Sequence, residues 1–504
     1  MKARLHVEKD FRIAAIDPRL YSSFIEHLGR SVYGGIYEPG HPSADGKGLR
    51  RDVIELVREL APPLVRYPGG NFVCTFDWED SVGPVESRPR RLDPAWRSIE
   101  PNLFGLDEFM SWTRAAGTEP MLATNLATRG VDAARSLLEY CNFEKGSYWS
   151  DLRRGHGAAE PYRIKTWCLG NEMDGPWQVG QKSALEYGRL ANEAGKAMRL
   201  LDPGIELVAC GSSLATLPTF PSWDAEVLDL CYDQVDYLSL HSYYDNRGDD
   251  LADFLAASAG MEAFIESVAA TCDYVKAKKR SGKTMMLSFD EWNVWFRAGA
   301  DERDKEPWQV GPRLLEEIYT FEDALAVGCL LMALMRSAKR VKIACLAQLV
   351  NAIAPIVTEK GGPAWRQTIF YPFLHASRFG RGTVMDARTE CPVYESRRYG
   401  EVPFLDAAVV ADSGEAGGGL TVFSVNRSPE EAIDLELALG GFGKLAPLER
   451  IEYVSDGPKA VNGAACPCAV VPRARDAGIE EVDGHGRLRL EPRSWNVLRL
   501  TSAF

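Results

Sequence analysis

The stretch Ile164–Gly175, IKTWCLGNEMDG, decides how the chain is read. It starts as an apolar run, closes at Gly170 and opens into Asn171, Glu172, Met173 and Asp174. A short apolar run that ends in glycine and then polar residues is the pattern of a buried parallel strand running out into a loop. In an α/β barrel, that edge is where side chains from distant parts of a sequence converge. A second stretch, Thr284–Trp295, TMMLSFDEWNVW, has the same form and ends in Glu291, Trp292 and Asn293.

Working outward, strands begin near Phe24, Leu64, Pro120, Ile164, Ile205, Tyr237, Thr284 and Ile343. Helix-compatible sequence lies between them, over Leu49–Leu60, Leu106–Ala116, Val131–Tyr140, Ala184–Leu201, Ala225–Cys231 and Met261–Lys279. Leu314–Ala338 is read as one long helix. Eight β-then-α units specify an α/β protein with a (β/α)8 TIM barrel, here over 14–375, rather than an open sheet. Beyond about residue 376 helical periodicity stops. Phe404–Val410, Leu420–Val425, Ala432–Leu439, Ile451–Val454 and Arg487–Leu500 read as strands, separated by the turn sequences EAGGG, LGGFG and SDGP. That pattern predicts an all-β sandwich over 376–504. Residues 3–16 alternate as a short strand pair.

With 58 basic and 71 acidic residues the net charge is −13, which argues against a nucleic-acid-binding surface. The opening MKARLHVEKDFRIAAI carries charges where a signal peptide needs an unbroken apolar core. No run of about 18 apolar residues offers a membrane span. Eleven cysteines without paired spacing read as reduced thiols, and the expected location is cytoplasmic. No His/Cys/Asp spacing suggests a metal, and no glycine-rich phosphate loop suggests a nucleotide, so no cofactor is expected.

The polar residues at the predicted strand ends are Glu26, Arg66, Asn71, Asn171, Glu172, His241, Tyr243, Glu291 and Gln348, with Trp96, Trp177, Trp292 and Trp295 nearby. Taken singly, each has a plainer reading. Arg66 could pair with Glu26, and His241 could be a satisfied core histidine. Together they form a mouth rich in donors, acceptors and rings, with two glutamates of the kind sugar hydrolysis by paired carboxylates requires. Strand alternation predicts that Glu291 faces this mouth and that Asp290 faces away.

GNE after the fourth strand and DEW after the seventh resemble the retaining glycoside hydrolases of clan A. FIEHLGRSVYGGIY, VRYPGGNF, WCLGNEMDGPWQ, LSLHSYYDN, LSFDEWNVW and LAQLVNAIAPI resemble, in order, the motifs of family 51, mainly α-L-arabinofuranosidases. The resemblance implies that Glu172 is the acid/base and Glu291 the nucleophile. It implies that Glu26, Arg66, Asn71, Trp96, Asn171, His241, Tyr243 and Gln348 bind substrate or tune the site, with no metal. It further implies a jelly-roll-like sandwich completed by residues 1–13, a homo-oligomer such as a hexamer, and small arabinofuranosides as substrates, with neither nucleic acid nor membrane as partner. The alternatives are another furanoside such as a galactofuranoside, a β-xyloside, or a carbohydrate-binding protein without turnover, which would have no need of both glutamates.

Overall fold

In the computed structural model, residues 1–298, 306–412, 419–476, 479–482 and 485–502 are described. Eight parallel strands close a barrel: β1 (Ser22–Phe24), β2 (Leu64–Tyr67), β3 (Glu119–Thr124), β4 (Thr166–Leu169), β5 (Glu206–Ala209), β6 (Tyr237–Tyr244), β7 (Met286–Val294) and β8 (Val341–Ala347). Each neighbours the next, and β8 returns to β1 through Cys345–Ser22, Leu346–Ser23 and Ala347–Phe24. Every residue of β1, β2 and β4 is buried. Strands covered on both faces read as apolar runs, which is why the periodicity located them.

Inside the barrel Phe24, Leu64, Met121, Cys168, Val208, Tyr237 and Ile343 fill the lumen. They form a floor, because the next inward position on each strand lies one pleat nearer the mouth. Glu26 thus follows Phe24, Arg66 follows Leu64, and Ser239, His241 and Tyr243 follow Tyr237. The helices pack outside the strands in a larger apolar core.

Among the described residues the second region is a continuous ten-stranded sheet. Its order is Arg473–Arg475, Leu445–Tyr453, Ser494–Ser502, Leu420–Asn426, Leu405–Ala411, Thr383–Glu390, Lys2–Ala15, Ile433–Gly440, His485–Leu490 and Glu480–Val482. The N-terminal strand is therefore interior, antiparallel to Thr383–Glu390 and parallel to Ile433–Gly440. Alternation divides the faces. Phe423, Val425, Trp495 and Val497 join the core of the barrel, whereas Leu5, Val7, Leu420, Val422, Leu435, Leu437, Leu498 and Leu500 form a second core. The expected boundary at 375/376 falls inside the helix Phe370–Phe379. We place the junction instead at Gly380–Gly382, immediately before the sheet begins.

Several expectations change. Residues 2–15 are one strand with register shifts between Val7 and Ala14, and the exposed Glu8–Phe11 segment between the two paired halves mimics a turn. The long helix starts at Phe321, not Leu314. Thr320 and Asp323 form its capping box, with the Thr320 N–H donating to Asp323 at 2.7 Å, so the true start lies inside the apolar stretch. The segment read as one strand over Arg487–Leu500 is two, parted where Arg493 adopts φ +47° after Pro492. Of the EAGGG turn, residues 415–418 lie outside the described residues.

Candidate active site

The barrel mouth brings all ten expected residues together in two hydrogen-bonded groups, one of Glu26, Trp96 and Gln348 and one of Arg66, Asn71, Asn171, Glu172, His241, Tyr243 and Glu291 bridged by Gln178. Glu26, two residues past β1, accepts from the Phe72 N–H at 2.9 Å and from Trp96 Nε1 at 2.8 Å. Gln348, just beyond β8, donates Nε2 to the other Glu26 oxygen at 3.4 Å, and its own carbonyl accepts from the Glu26 N–H at 3.1 Å. Burial, followed by the charge of Glu291, pushes the Glu26 carboxyl up to about 8.

Arg66, from β2, is fully buried under the mouth. Its Nη1 donates to Glu291 Oε1 at 2.6 Å and its Nη2 to Asn171 Oδ1 at 2.7 Å, while Nε lies 3.4 Å from Asp290. It thus pairs with the β7 acids and not with Glu26. The glycines that follow leave room for a ligand: a Cβ on Gly70 would stand 2.7 Å from Glu26 Oε2 and 3.2 Å from Glu291 Oε1.

β4 ends at Leu169, and the chain turns sharply through Gly170 at φ +95° and Glu172 at φ +43°. A left-handed glutamate is uncommon and carries strain that its contacts must offset. Glu172 Oε2 accepts from Trp177 Nε1 at 2.6 Å and Gln178 Nε2 at 3.1 Å, and Oε1 faces His241 Nδ1 at 3.0 Å. Burial raises this carboxyl, but the bond and charge of His241, joined by Trp177 and Gln178, outweigh burial and bring it below its ordinary value. Asn171 Nδ2 donates to Asn71 Oδ1 at 3.4 Å, and Gln178 donates to the same Asn71 oxygen.

On β6 and β7 a register shift between Ser288 and Glu291 changes what alternation predicted. Ser288 pairs with Ser239 and Glu291 with His241, so an extra residue bulges and both Asp290 and Glu291 turn inward. Asp290 is therefore not outward-facing. It lies below Glu291, accepting from Ser239 Oγ at 2.5 Å, 3.5 Å from His241 Nε2 and beside Arg66. Burial opposes its ionisation, but Arg66 and His241 hold it down to about 2. Glu291 Oε2 accepts from the Tyr243 hydroxyl at 3.0 Å. His241 loses to burial and gains more from Glu291, Asp290 and Glu172, so its imidazolium persists up to about 10.

Oxygens of Glu172 and Glu291 and a nitrogen of His241 lie within 4.8 Å of one another, the one such metal-like grouping among the described residues. A cation there would meet a protonated ring and the Arg66 guanidinium, so these residues do not fit a resident metal. Gln178 is the functional-looking residue that sequence reasoning missed. It sits in a loop with no strand to announce it, six positions after Glu172, and only the WQ of the quoted motif marks it. Trp177, 45% exposed, roofs Glu172 beside it.

The sequence profile of the α-L-arabinofuranosidase 1 domain matches residues 56–261, and that of the α-L-arabinofuranosidase C-terminal domain matches residues 290–494. The chain is 57% identical over 503 residues to an intracellular exo-α-(1→5)-L-arabinofuranosidase of Halalkalibacterium halodurans, covering 99% of each. It is 54% identical over 500 residues to another of that description from Bacillus subtilis, again covering 99% of each. A family 51 α-L-arabinofuranosidase from Bifidobacterium longum superposes with a TM-score of 0.94 at 44% identity over 99% of both chains. The arabinose complex of the Thermotoga maritima α-L-arabinofuranosidase superposes at 0.87 and 33% identity, also over 99% of both. With relatives this similar along its whole length, and paired glutamates at the mouth of the matching barrel, the chain belongs to glycoside hydrolase family 51, the α-L-arabinofuranosidases.

Proposed function

We propose that this enzyme removes single terminal α-L-arabinofuranosyl residues, α-(1→5)-linked ones above all, from arabino-oligosaccharides or arabinoxylan fragments with retention of configuration. The observation that carries the reading is the pair Glu172 and Glu291, buried in the turn after β4 and in the last half of β7 with oxygens within 4.8 Å. Retaining glycosidases hold their carboxyl groups about 5–5.5 Å apart, whereas inverting ones need about 6.5–9.5 Å to admit a water.

Glu291, held by the Arg66 guanidinium and oriented by Tyr243, attacks the anomeric carbon as the bond to the leaving oxygen breaks. Glu172 gives that oxygen its proton. Water then attacks the glycosyl-enzyme, passes a proton to Glu172 and releases Glu291. Asn171 holds the 2-hydroxyl, where a hydrogen bond strengthens as charge develops on the sugar. Glu26, Asn71, Trp96 and Gln348 bind the rest of the ring, and His241 tunes the two glutamates. The terminal specificity and the intracellular setting follow the names of the relatives. No described helix is long and apolar enough to cross a membrane. The active form is a homo-oligomer, a hexamer, with small carbohydrates as its partners.

Glu172→Ala tests the assignment. Turnover of an arabinofuranoside with a nitrophenolate leaving group should survive in part, because that leaving group needs little protonation, and azide should accelerate it. Hydrolysis of α-(1→5)-arabinobiose should fall by about 10²–10⁴-fold. Equal loss on both substrates without azide rescue would sink the acid/base role. Faster hydrolysis of a galactofuranoside or β-xyloside by the parent enzyme would favour those substrates instead.

A further inference from the structure

The paired-glutamate reading leaves unused a buried carboxylate, Asp290, which lies under the site with none of its contacts on the sugar side. Its hydrogen-bond chain runs upward. His241 Nε2 meets Ser239 Oγ at 3.1 Å, and Ser239 Oγ–H donates to Asp290 Oδ1 at 2.5 Å, so the serine oxygen accepts from Nε2–H. The opposite ring nitrogen, Nδ1, faces Glu172 Oε1 at 3.0 Å and Glu291 Oε2 at 3.6 Å. Resting on the acid/base assignment of Glu172, we propose that Asp290 and Ser239 are positioning residues of a proton relay in which His241 stores the catalytic proton for Glu172.

The steps balance. The resting site holds the imidazolium and the Glu172 carboxylate. The Nδ1 proton passes to Glu172 Oε1, leaving a neutral ring that keeps its hydrogen on Nε2, toward Ser239 and Asp290. Glu172 gives the proton to the leaving oxygen. In the second half-reaction it takes one from water, and that proton returns to Nδ1. Only a ring with Nε2–H fixed can give and take at Nδ1, which is the orienting role an aspartate plays behind a histidine in other enzymes. The resting assignment agrees with the directions of both groups, the histidine raised and the glutamate lowered. The groups facing this chain are Glu172 from the β4 end, Glu291 and Asp290 from β7 and Ser239 from β6. Arg66 from β2 and Cys168 from β4 touch Asp290, and Tyr243 touches Glu291.

The experiment is the pH profile of kcat/KM for the full chain on α-(1→5)-arabinobiose and on 4-nitrophenyl arabinofuranoside. In Asp290→Asn a negative charge beside His241 is lost, so the stored proton leaves at lower pH. The basic limb should move acidward by at least one unit. Arabinobiose hydrolysis should fall at least about tenfold more than nitrophenyl glycoside hydrolysis. Ser239→Ala, which keeps every charge, should shift the substrate ratio the same way by less, and it decides alone if Asp290→Asn does not fold. An unmoved basic limb with equal losses on both substrates would overturn the relay. Glu172→Ala with azide, run alongside, separates the two claims. Rescue with an unmoved limb in Asp290→Asn rejects only the relay, and no rescue rejects the acid/base assignment beneath it.

Discussion

Glu26 shows how one side chain can be placed by pattern and still behave against type. It accepts from Phe72 and Trp96 and faces Glu291, and its carboxyl is raised to about 8 from an ordinary 4.5. A group whose folded value is raised gives stability that is complete below the unfolded value and lost as pH rises through the folded one. The parent enzyme should therefore lose stability between about pH 4.5 and pH 8 at this residue. Glu26→Gln keeps an acceptor for Phe72 and Trp96, gives up the one that Gln348 Nε2 reaches at 3.4 Å, and removes the titration, so urea unfolding should show the variant gaining on the parent as pH rises from 5 to 8. Glu26→Ala should be less stable by about 1–3 kcal/mol for each orphaned donor at any pH. A pH-independent gap between parent and Gln variant would contradict the buried neutral acid. Glu26, Arg66, His241 and Tyr243 were legible because each continues the inward phase of an apolar strand. Gln178 was not, because its position is set by the loop carrying Glu172 and loops have no phase.

Short elements at the mouth set the chemistry, and their irregularities are what a periodic reading cannot see. Two-residue alternation assigns Asp290 outward, yet one bulged residue in β7 turns it under Glu291, and no composition signal marks the bulge. The rim segment Leu314–Thr320 joined the following helix on apolar content alone, although Thr320 and Asp323 fix the start at Phe321. Gly70, in the loop after β2, packs directly against the two acids of the mouth. Gly70→Ala would put a methyl between Glu26 and Glu291, where contacts at 2.7 Å and 3.2 Å leave no space for it beside a sugar. The variant should fold, with a melting temperature within about 2–4 °C of the parent for a loss near 1 kcal/mol. Its kcat/KM on arabinofuranosides should fall at least about tenfold, mostly through KM. Unchanged kcat/KM would show that the sugar does not occupy this gap.

At the scale of the molecule, the barrel and the sheet are joined by apolar packing and a buried charge cluster. Trp495 packs on Gly328, where a Cβ would lie 2.6 Å from its ring, and donates Nε1 to His375 at 3.0 Å. Nearby, Asp406 holds Arg336 at 2.8 Å and Arg427 more closely. Eight β-then-α units and the shift to short strands were legible because both are periodic. The contribution of the N-terminal strand was legible only from family resemblance, since its partners are hundreds of positions away. Trp495→Ala removes the largest side chain in this interface and should cost about 3–5 kcal/mol, read as a lower urea midpoint. Activity per folded molecule at 25 °C should stay within about twofold, because Trp495 bonds to no group at the mouth. A large loss of kcat without loss of stability would mean that the sheet acts on the site directly.

The central claim is that Glu291 forms the covalent bond while its buried neighbour Asp290 does not. The enzyme is treated with a 2-fluoro-arabinofuranoside bearing a good leaving group, which slows breakdown of the glycosyl-enzyme, and the digest is sequenced by mass spectrometry. The account predicts one adduct, on Glu291 within the peptide SFDEWNVW, that turns over when an acceptor is added. An adduct on Asp290 or Glu172, or hydrolysis with inversion and no adduct, would contradict it.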